Sequence, residues 1–271
     1  MPDVRDGEGA NAYWGRAGLG QAILDALAAS GKDMNALTVD DLAPLDQYHG
    51  GGKTSTERLA RLAELTPGTR VLDVGGGLGG PSRTLVAQFG CIVTLLDPTE
   101  SYLEASQLLT EQLRLSDRLT HRFGNALDLP FEAGAFDVVW TQNSGMQIAD
   151  KERLYAGFHR VIRPGGRLAI QEPMAGPVQP PIYPLMWAAD ENSSFLRTPD
   201  QMKATIEAAG FRTFVWSDPV PSLRGSARYA SSAPTIQRLV MGDALAAISA
   251  ASDRNNEENR MVSVDGVFDR V

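Results

Sequence analysis

The chain has a single cysteine among its 271 residues, Cys91, so it cannot close a disulfide within itself, and that thiol falls in an apolar run where it reads as a small buried hydrophobe. Histidines number three, and no His/Cys/Asp cluster has metal-ligand spacing, so no structural or catalytic zinc is expected. No Lys- or Arg-rich run occurs and the net charge is −8, which opposes a broad electrostatic grip on nucleic acid and favours a small-molecule partner. No apolar run approaches the roughly 20 residues of a membrane span. The first ten residues lack the basic start and apolar segment of a secretion signal, and the expectation is a cytoplasmic protein. With 43% apolar and 21% charged residues, the composition is that of an ordinary soluble enzyme, long enough for one large domain with an appended helical cap.

What the chain does have is glycine in one place. The run Val71-Leu72-Asp73-Val74 stops in glycines at 75, 76, 77, 79 and 80, and a helical pattern resumes with Pro81 in its first turn. Strand, tight turn and helix follow directly. Glycine there permits positive φ and lets a ligand approach main-chain N–H groups at a helix N-terminus, which favours a bound anion. Taken alone, Gly75-x-Gly77-x-x-Gly80 fits the dinucleotide fingerprint and leaves NAD open beside other adenosine-bearing cofactors. Asp73 ends the first run, where it can accept from a cationic amino group, and Asp97 closes the next, Cys91 to Leu96, where an acid can hold two ribose hydroxyls. Together, Asp73, the glycines and Asp97 resemble the cofactor site of class I S-adenosylmethionine-dependent methyltransferases.

Strand and helix patterns alternate from Arg70 onward, which implies parallel strands with right-handed crossovers. A third strand is expected at Leu119 to Phe123 and a fourth at Ala135 to Trp140. A helix over Asp150 to Ile162 then turns through Arg163-Pro164-Gly165-Gly166 into a fifth strand. The succession FDVVW, helix, RVIRPGGRLAI is similar to that methyltransferase family and not to dehydrogenases. The resemblance is strong from Arg70 to Ile170 and looser beyond. It implies a Rossmann-like, seven-stranded, mostly parallel α/β sheet with helices on both faces. The last strand, Met261 to Phe268, would insert antiparallel between the fifth and a sixth at Phe211 to Trp216. An N-terminal helical cap over residues 1–66 would precede a core of 67–271, itself carrying a substrate-cap insertion at 172–197. A helix over Ile236 to Ala251, then a charged turn at Asp253 to Asn259, complete the expected order.

The same resemblance implies S-adenosyl-L-methionine as cofactor, with S-adenosyl-L-homocysteine as product. Its expected contacts are Asp73, Gly75, Gly76, Gly77, Asp97, Pro98, the adenine segment at Asn125 and Ala126, and Gln142 at the end of the fourth strand. Asn125 stands where the family usually has an acid, and its amide carbonyl can still accept from an exocyclic amine. The segment Asp46-Gln47-Tyr48-His49-Gly50-Gly51-Gly52 reads either as a plain turn or as a hinge carrying a general base, His49, with Tyr48 as polariser. His121 and His159 read as structural. Tyr13, Trp14, Met146, Tyr183 and Trp187 suit an apolar or planar small-molecule acceptor. Two other readings stay open: a nicotinamide-dependent oxidoreductase on the same sheet, and a cofactor-binding module without turnover.

Overall fold

The computed structural model describes residues 17–221 and 242–271. Three helices come first: α1 (Leu19–Ala29), α2 (Val39–Asp46) and α3 (Gly52–Leu62). Thr38 starts α2 with a reciprocal capping box to Asp41, which satisfies two amides that the helix itself cannot. The alternating core follows as β1 (Arg70–Val74), α4 (Gly80–Phe89), β2 (Ile92–Asp97), α5 (Glu100–Gln112), β3 (Leu119–Phe123), β4 (Phe136–Gln142), α6 (Lys151–Val161) and β5 (Ile162–Ala175). It closes with α7 (Pro199–Ala208), β6 (Phe211–Trp216), the two-residue β7 (Val220–Pro221), α8 (Leu245–Glu257) and β8 (Met261–Arg270).

The strands lie in the order β3-β2-β1-β4-β5-β8-β6, with β7 paired to β8. Pairings from β3 across to β5 are parallel, whereas β8 runs antiparallel to both its neighbours, as expected. Period-two burial builds the two faces. Leu72 and Val74 join Val139 and Ile170 under α6 and α7, while Val71 joins Val93, Val138 and Trp140 under α3 and α4. A third cluster packs the apolar stripe of the cap, namely Ile23, Leu27, Leu42 and Leu45, onto Leu78, Leu109, Met146 and Trp187. Cys91 is buried in the second face, and its desolvated thiol is pushed up to about 11. Chain direction out of β1 diverges to β2 on one side and β4 on the other, and that switch point opens the crevice used below.

Three expectations need correction or restriction. The fifth strand extends through Ala175, so residues 172–175, expected as irregular chain, pair with β8 from Glu172↔Val264 to Ala175↔Met261. The turn expected at 253–259 is mostly helix, because α8 continues to Glu257 with Asn255 bonding both the N–H and the carbonyl of Ile182 at 2.8 Å. Tyr13, Trp14 and the expected helix start at Ile236 lie outside the described residues.

Phe158 of α6 is 1% exposed and meets Tyr155 edge to face, whereas Ile92 is 47% exposed. Phe158→Ala is expected to lower the unfolding free energy by about 3–5 kcal/mol. Ile92→Ala is expected to cost less than about 1 kcal/mol, both read by urea titration.

Candidate cofactor and acceptor site

The glycine turn is a place where four backbone segments touch. Gly75 has φ +72°, and a Cβ on it would lie 2.4 Å from Cβ of Ser144 in the loop after β4. A Cβ on Gly76 would lie 2.5 Å from Cγ of Leu95 in β2, and one on Gly80 would lie 2.3 Å from the carbonyl oxygen of Asp46 at the end of α2. The amides of the turn are not bare, which corrects the expectation of an open anion cradle. Gly75 and Gly76 both donate to the carbonyl of Leu96, at 2.8 and 3.4 Å, Gly77 donates to Oδ2 of Asp97 at 2.9 Å, and Gly79 donates to Gly76 at 2.8 Å. The glycines therefore serve close approach of protein to protein, and the N–H groups of Gly75, Gly76 and Gly77 are spent holding β2.

Three buried carboxylates stand in the wall. Asp73 accepts from the Ser82 hydroxyl at 2.6 Å, and desolvation, far more than the nearby Asp97, pushes it up to about 7. Asp97 accepts the amides of Gly77 and Thr99, each at 2.9 Å; its burial raises its pKa against those two bonds. Asp46 places Oδ2 on Nη2 of the fully buried Arg83 at 2.9 Å, and desolvation outweighs that guanidinium so that its pKa also rises. Arg83 further donates to the carbonyls of Leu78 and Ser106 at 2.5 and 3.2 Å. The three carboxylates border a cavity of about 190 Å³, and among the described residues no Lys or Arg lines it. Such a wall favours a cation.

His49 and Gln142 enter the cavity lining from a hydrogen-bonded floor that ends at an ion pair. His49 is buried, with Nε2 2.9 Å from Oε1 of Gln47 and 3.1 Å from Oγ1 of Thr56. Thr56 also lies within donating range of Oε1 of Gln142 at 3.0 Å, and Gln142 donates to Gln171 at 2.9 Å. Gln171 in turn donates to Asp265 at 3.2 Å, which pairs with Arg58 at 2.6 Å. Behind this floor, the fully buried Glu172 accepts from Thr141 and from the amides of Gly145 and Ser144, at 3.1, 3.0 and 3.4 Å. Lys151 donates to the carbonyls of Gly145 and Ile148. Desolvation lowers Lys151 to about 8, partly opposed by Glu172, and the two residues grip the 144–148 loop from both ends.

Of the residues singled out by sequence, the cavity gathers Tyr48, His49, Asp73, Gly75, Gly76, Gly77, Asp97, Pro98, Asn125, Ala126, Gln142, Met146 and Trp187. Gln142 lines it with its amide already committed to Thr56, Trp140 and Gln171. Tyr183 is not on the wall: it packs into the cap cluster, and Ser194 bonds its hydroxyl. His121 accepts or donates at Ser106, 2.8 Å away, and burial lowers it to about 4; His159 reaches the carbonyl of Val271 at 3.3 Å. Both keep structural positions. Sequence reasoning assigned no site role to Asp46, Leu78, Tyr102 or Met186, all on the wall. Leu42 and Leu45 mark the buried face of α2, and Asp46 directly beyond them is the signal that was available.

A parallel sheet open at its switch point, a glycine turn locked to β2 and carboxylates at the ends of β1 and β2 define a nucleoside-cofactor domain of the doubly wound α/β class. Residues 72–170 match the family model described as a methyltransferase domain. Over 132 residues the chain is 33% identical to a glycine/sarcosine/dimethylglycine N-methyltransferase of Actinopolyspora halophila, covering 49% of this chain and 23% of that protein. Over 198 residues it is 29% identical to a sarcosine/dimethylglycine N-methyltransferase of Halorhodospira halochloris, covering 71% and 69%. The chain thus spans about a quarter of the first relative's length and about two thirds of the second's. A crystal structure of geranyl diphosphate C-methyltransferase from Streptomyces coelicolor A3(2) superposes with a TM-score of 0.71 at 19% identity, covering 100% of this chain and 99% of that one, and shows the shared fold.

Solved geranyl diphosphate methyltransferases of this fold hold S-adenosylmethionine or S-adenosyl-L-homocysteine. The residues present fit S-adenosylmethionine: the wall is acidic, and one buried oxygen in it, Oδ1 of Asp46, has no hydrogen-bond partner among the described residues. Gly75→Ala is expected to cost several kcal/mol, since positive φ and the Ser144 clash add, whereas Gly31→Ala, with φ +81° and nothing within 4 Å, is expected to cost about 1 kcal/mol. Chemical unfolding of the two variants checks the difference.

Proposed function

We propose that the chain is an S-adenosylmethionine-dependent methyltransferase that passes a methyl group to an O, N or C nucleophile of an apolar or planar small molecule by in-line displacement. The observation that carries this reading is one cavity lined both by the carboxylates Asp73 and Asp97 and by the apolar and aromatic side chains Leu78, Tyr102, Met146, Met186 and Trp187. When bound, the cofactor supplies an electrophilic methyl on a good leaving group. What the protein must add is alignment and exclusion of water. Met186 and Trp187 belong to the segment after β5, and they supply cover; Gln147 holds that segment through the Trp187 carbonyl at 3.1 Å. Residues 1–66 as a cap and 172–197 as a substrate-cap insertion are part of this reading, as is a cytoplasmic enzyme that does not act on nucleic acid. No helix among the described residues is long and apolar enough to cross a membrane.

For a neutral hydroxyl or a protonated amine acceptor, His49 removes the proton and Tyr48 polarises the acceptor. Support comes from the cavity position of both and from the hydrogen bonds that fix the imidazole. Titration calorimetry is expected to show saturable binding of S-adenosylmethionine and S-adenosylhomocysteine and none of NAD or NADP. Transfer of labelled methyl to members of a panel of phenols, catechols and secondary amines tests turnover. With an accepting member, His49→Ala is expected to lower turnover at saturating cofactor by about 10²- to 10⁴-fold.

Asp73 makes binding depend on pH. In the ligand-free protein the native state holds the Asp73 proton more tightly than the unfolded chain does, so this group withdraws stability as pH rises from its ordinary 3.8 to about 7. A cationic ligand needs the ionised form. Affinity for S-adenosylmethionine is therefore expected to rise with pH, by at most about tenfold per unit, and to level off above about 7. In Asp73→Asn that step is expected to vanish, with weaker binding throughout; calorimetry between about pH 5.5 and 8.5 reads both.

A further inference from the structure

We propose that Glu172 and Lys151 are positioning residues for the acceptor: between opposite charges they hold the turn that seats Met186 and Trp187 over the cavity. The inference rests on the reading above, in which that segment covers the acceptor. Both side chains are 0% exposed, and neither lines the cavity. Buried charges are costly, and a buried pair is often no more stabilising than apolar residues of the same volume, so their presence asks for a reason beyond stability. What they hold is a piece of backbone.

Asn143 ends β4 with φ +54°, and the chain turns so that the next two amides, of Ser144 and Gly145, face back to Oε1 of Glu172 at 3.4 and 3.0 Å. The Thr141 hydroxyl donates to the same oxygen at 3.1 Å. A Cβ on Gly145 would stand 3.1 Å from that oxygen, so glycine lets the turn lie close against the carboxylate. At the other end Nζ of Lys151, the first residue of α6, donates to the carbonyl of Gly145 at 2.7 Å and to that of Ile148. Residues Gly145–Gln147 between them form a single 3₁₀ turn. Its peptide dipoles run from N–H to carbonyl, so an anion at its start and a cation at its end both favour it. Two hydrogen bonds then cross from the turn to the cover. The carbonyl of Met146 accepts from the amide of Phe195 at 2.8 Å, and Nε2 of Gln147 donates to the carbonyl of Trp187 at 3.1 Å. Trp187 is further fixed by its indole N–H, which donates to the Ser194 hydroxyl at 3.1 Å. The charges thus act on the acceptor in two steps, from side chain to turn and from turn to cover. In-line transfer loses about 10²-fold for a misplacement of about 1 Å, which is what bonds of fixed geometry prevent.

The test is amide hydrogen exchange on the full chain with S-adenosylhomocysteine bound, followed residue by residue by NMR in wild type and Glu172→Gln. The variant keeps an oxygen for the three donors and removes the charge. Exchange is expected to quicken about 10-fold or more at Gly145 and, through the turn, at Phe195, while the amide of Val93 in β2, bonded to the Arg118 carbonyl at 2.8 Å, changes less than about twofold. With an accepting member of the panel above, the same variant is expected to raise the acceptor KM about tenfold and that of S-adenosylmethionine less than about threefold, because the glycine turn keeps its own bonds to Leu96 and Asp97. Faster exchange at Gly145 but not at Phe195 would confine the pair to local support, and faster exchange at all three would make it a support of the whole fold. No change would mean that the charge is idle, and equal rises in the two KM values would remove the bias towards the acceptor; any of the four overturns the proposal. Should Glu172→Gln fail to fold because Lys151 loses its counter-charge, Glu172→Gln combined with Lys151→Met removes both charges and carries the same comparison. A wild-type protein that binds no S-adenosylhomocysteine refutes the cofactor reading instead, and exchange measured on the ligand-free chain then judges the pair by itself.

Discussion

Four pieces of the chain meet at Gly75–Gly80, where the missing β-carbons make room for Ser144, Leu95 and the carbonyl of Asp46, and the rest of the molecule is arranged around that contact. Strand β2 supplies the Leu96 carbonyl and the Asp97 carboxylate, the loop after β4 supplies Ser144, and the cap supplies the end of α2. Each approach is closer than any β-carbon allows. Glycine is costly in a chain that must order, because it gives up more backbone freedom than any other residue. That cost is offset here by hydrogen bonds in a dry interior and by the joining of three separate elements. Ser144 shows the coupling most plainly: its hydroxyl bonds the carbonyl of Val74 at 3.1 Å, and its amide is held by Glu172. A displacement of the β4 loop is therefore felt at the end of β1.

The ion pair between Asp46 and Arg83 extends the same contact to the cap. Thirty-seven residues separate the two partners in the chain. Removing one charge would strand the other in a desolvated position, which is far more costly than losing a surface pair. The cap is thus fastened beside the glycine turn by a polar contact as well as by the apolar cluster of Ile23, Leu42, Leu45 and Leu78.

Much of the sheet was legible because its signals are local. Apolar runs of five or six residues separated by helical patterns name their own class, and the glycine turn, Asp73 and Asp97 lie within twenty-five residues of one another. What sequence reasoning missed depends on contacts distant in sequence. Arg83 received no role from the sequence, because the residues that close around it, Asp46, Ser106 and Thr110, lie far from it in the chain. Pro173 reads as a break after the fifth strand, yet the ten residues of β8 hold it opposite Ser263 in the ladder. Tyr183 was drawn towards the acceptor by its aromatic character alone, and the same character packs it, half-buried, against the cap cluster.

The occupied amides of the turn also bear on which nucleoside the site prefers. A pyrophosphate bridge is held where main-chain N–H groups at a helix N-terminus are unspent and no carboxylate is near. Here Gly75, Gly76, Gly77 and Gly79 all donate to protein oxygens, and Asp46, Asp73 and Asp97 face the same cavity. An anion would meet repulsion and find these four donors engaged. A sulfonium has the reverse requirements: it needs negative charge nearby to offset its desolvation, and no hydrogen-bond donor at all. Closing the turn onto β2 therefore accomplishes two things through one set of bonds. It places Asp97 and Asp73 beside each other despite their mutual repulsion, and it uses up the groups that would have made the same fingerprint a dinucleotide site.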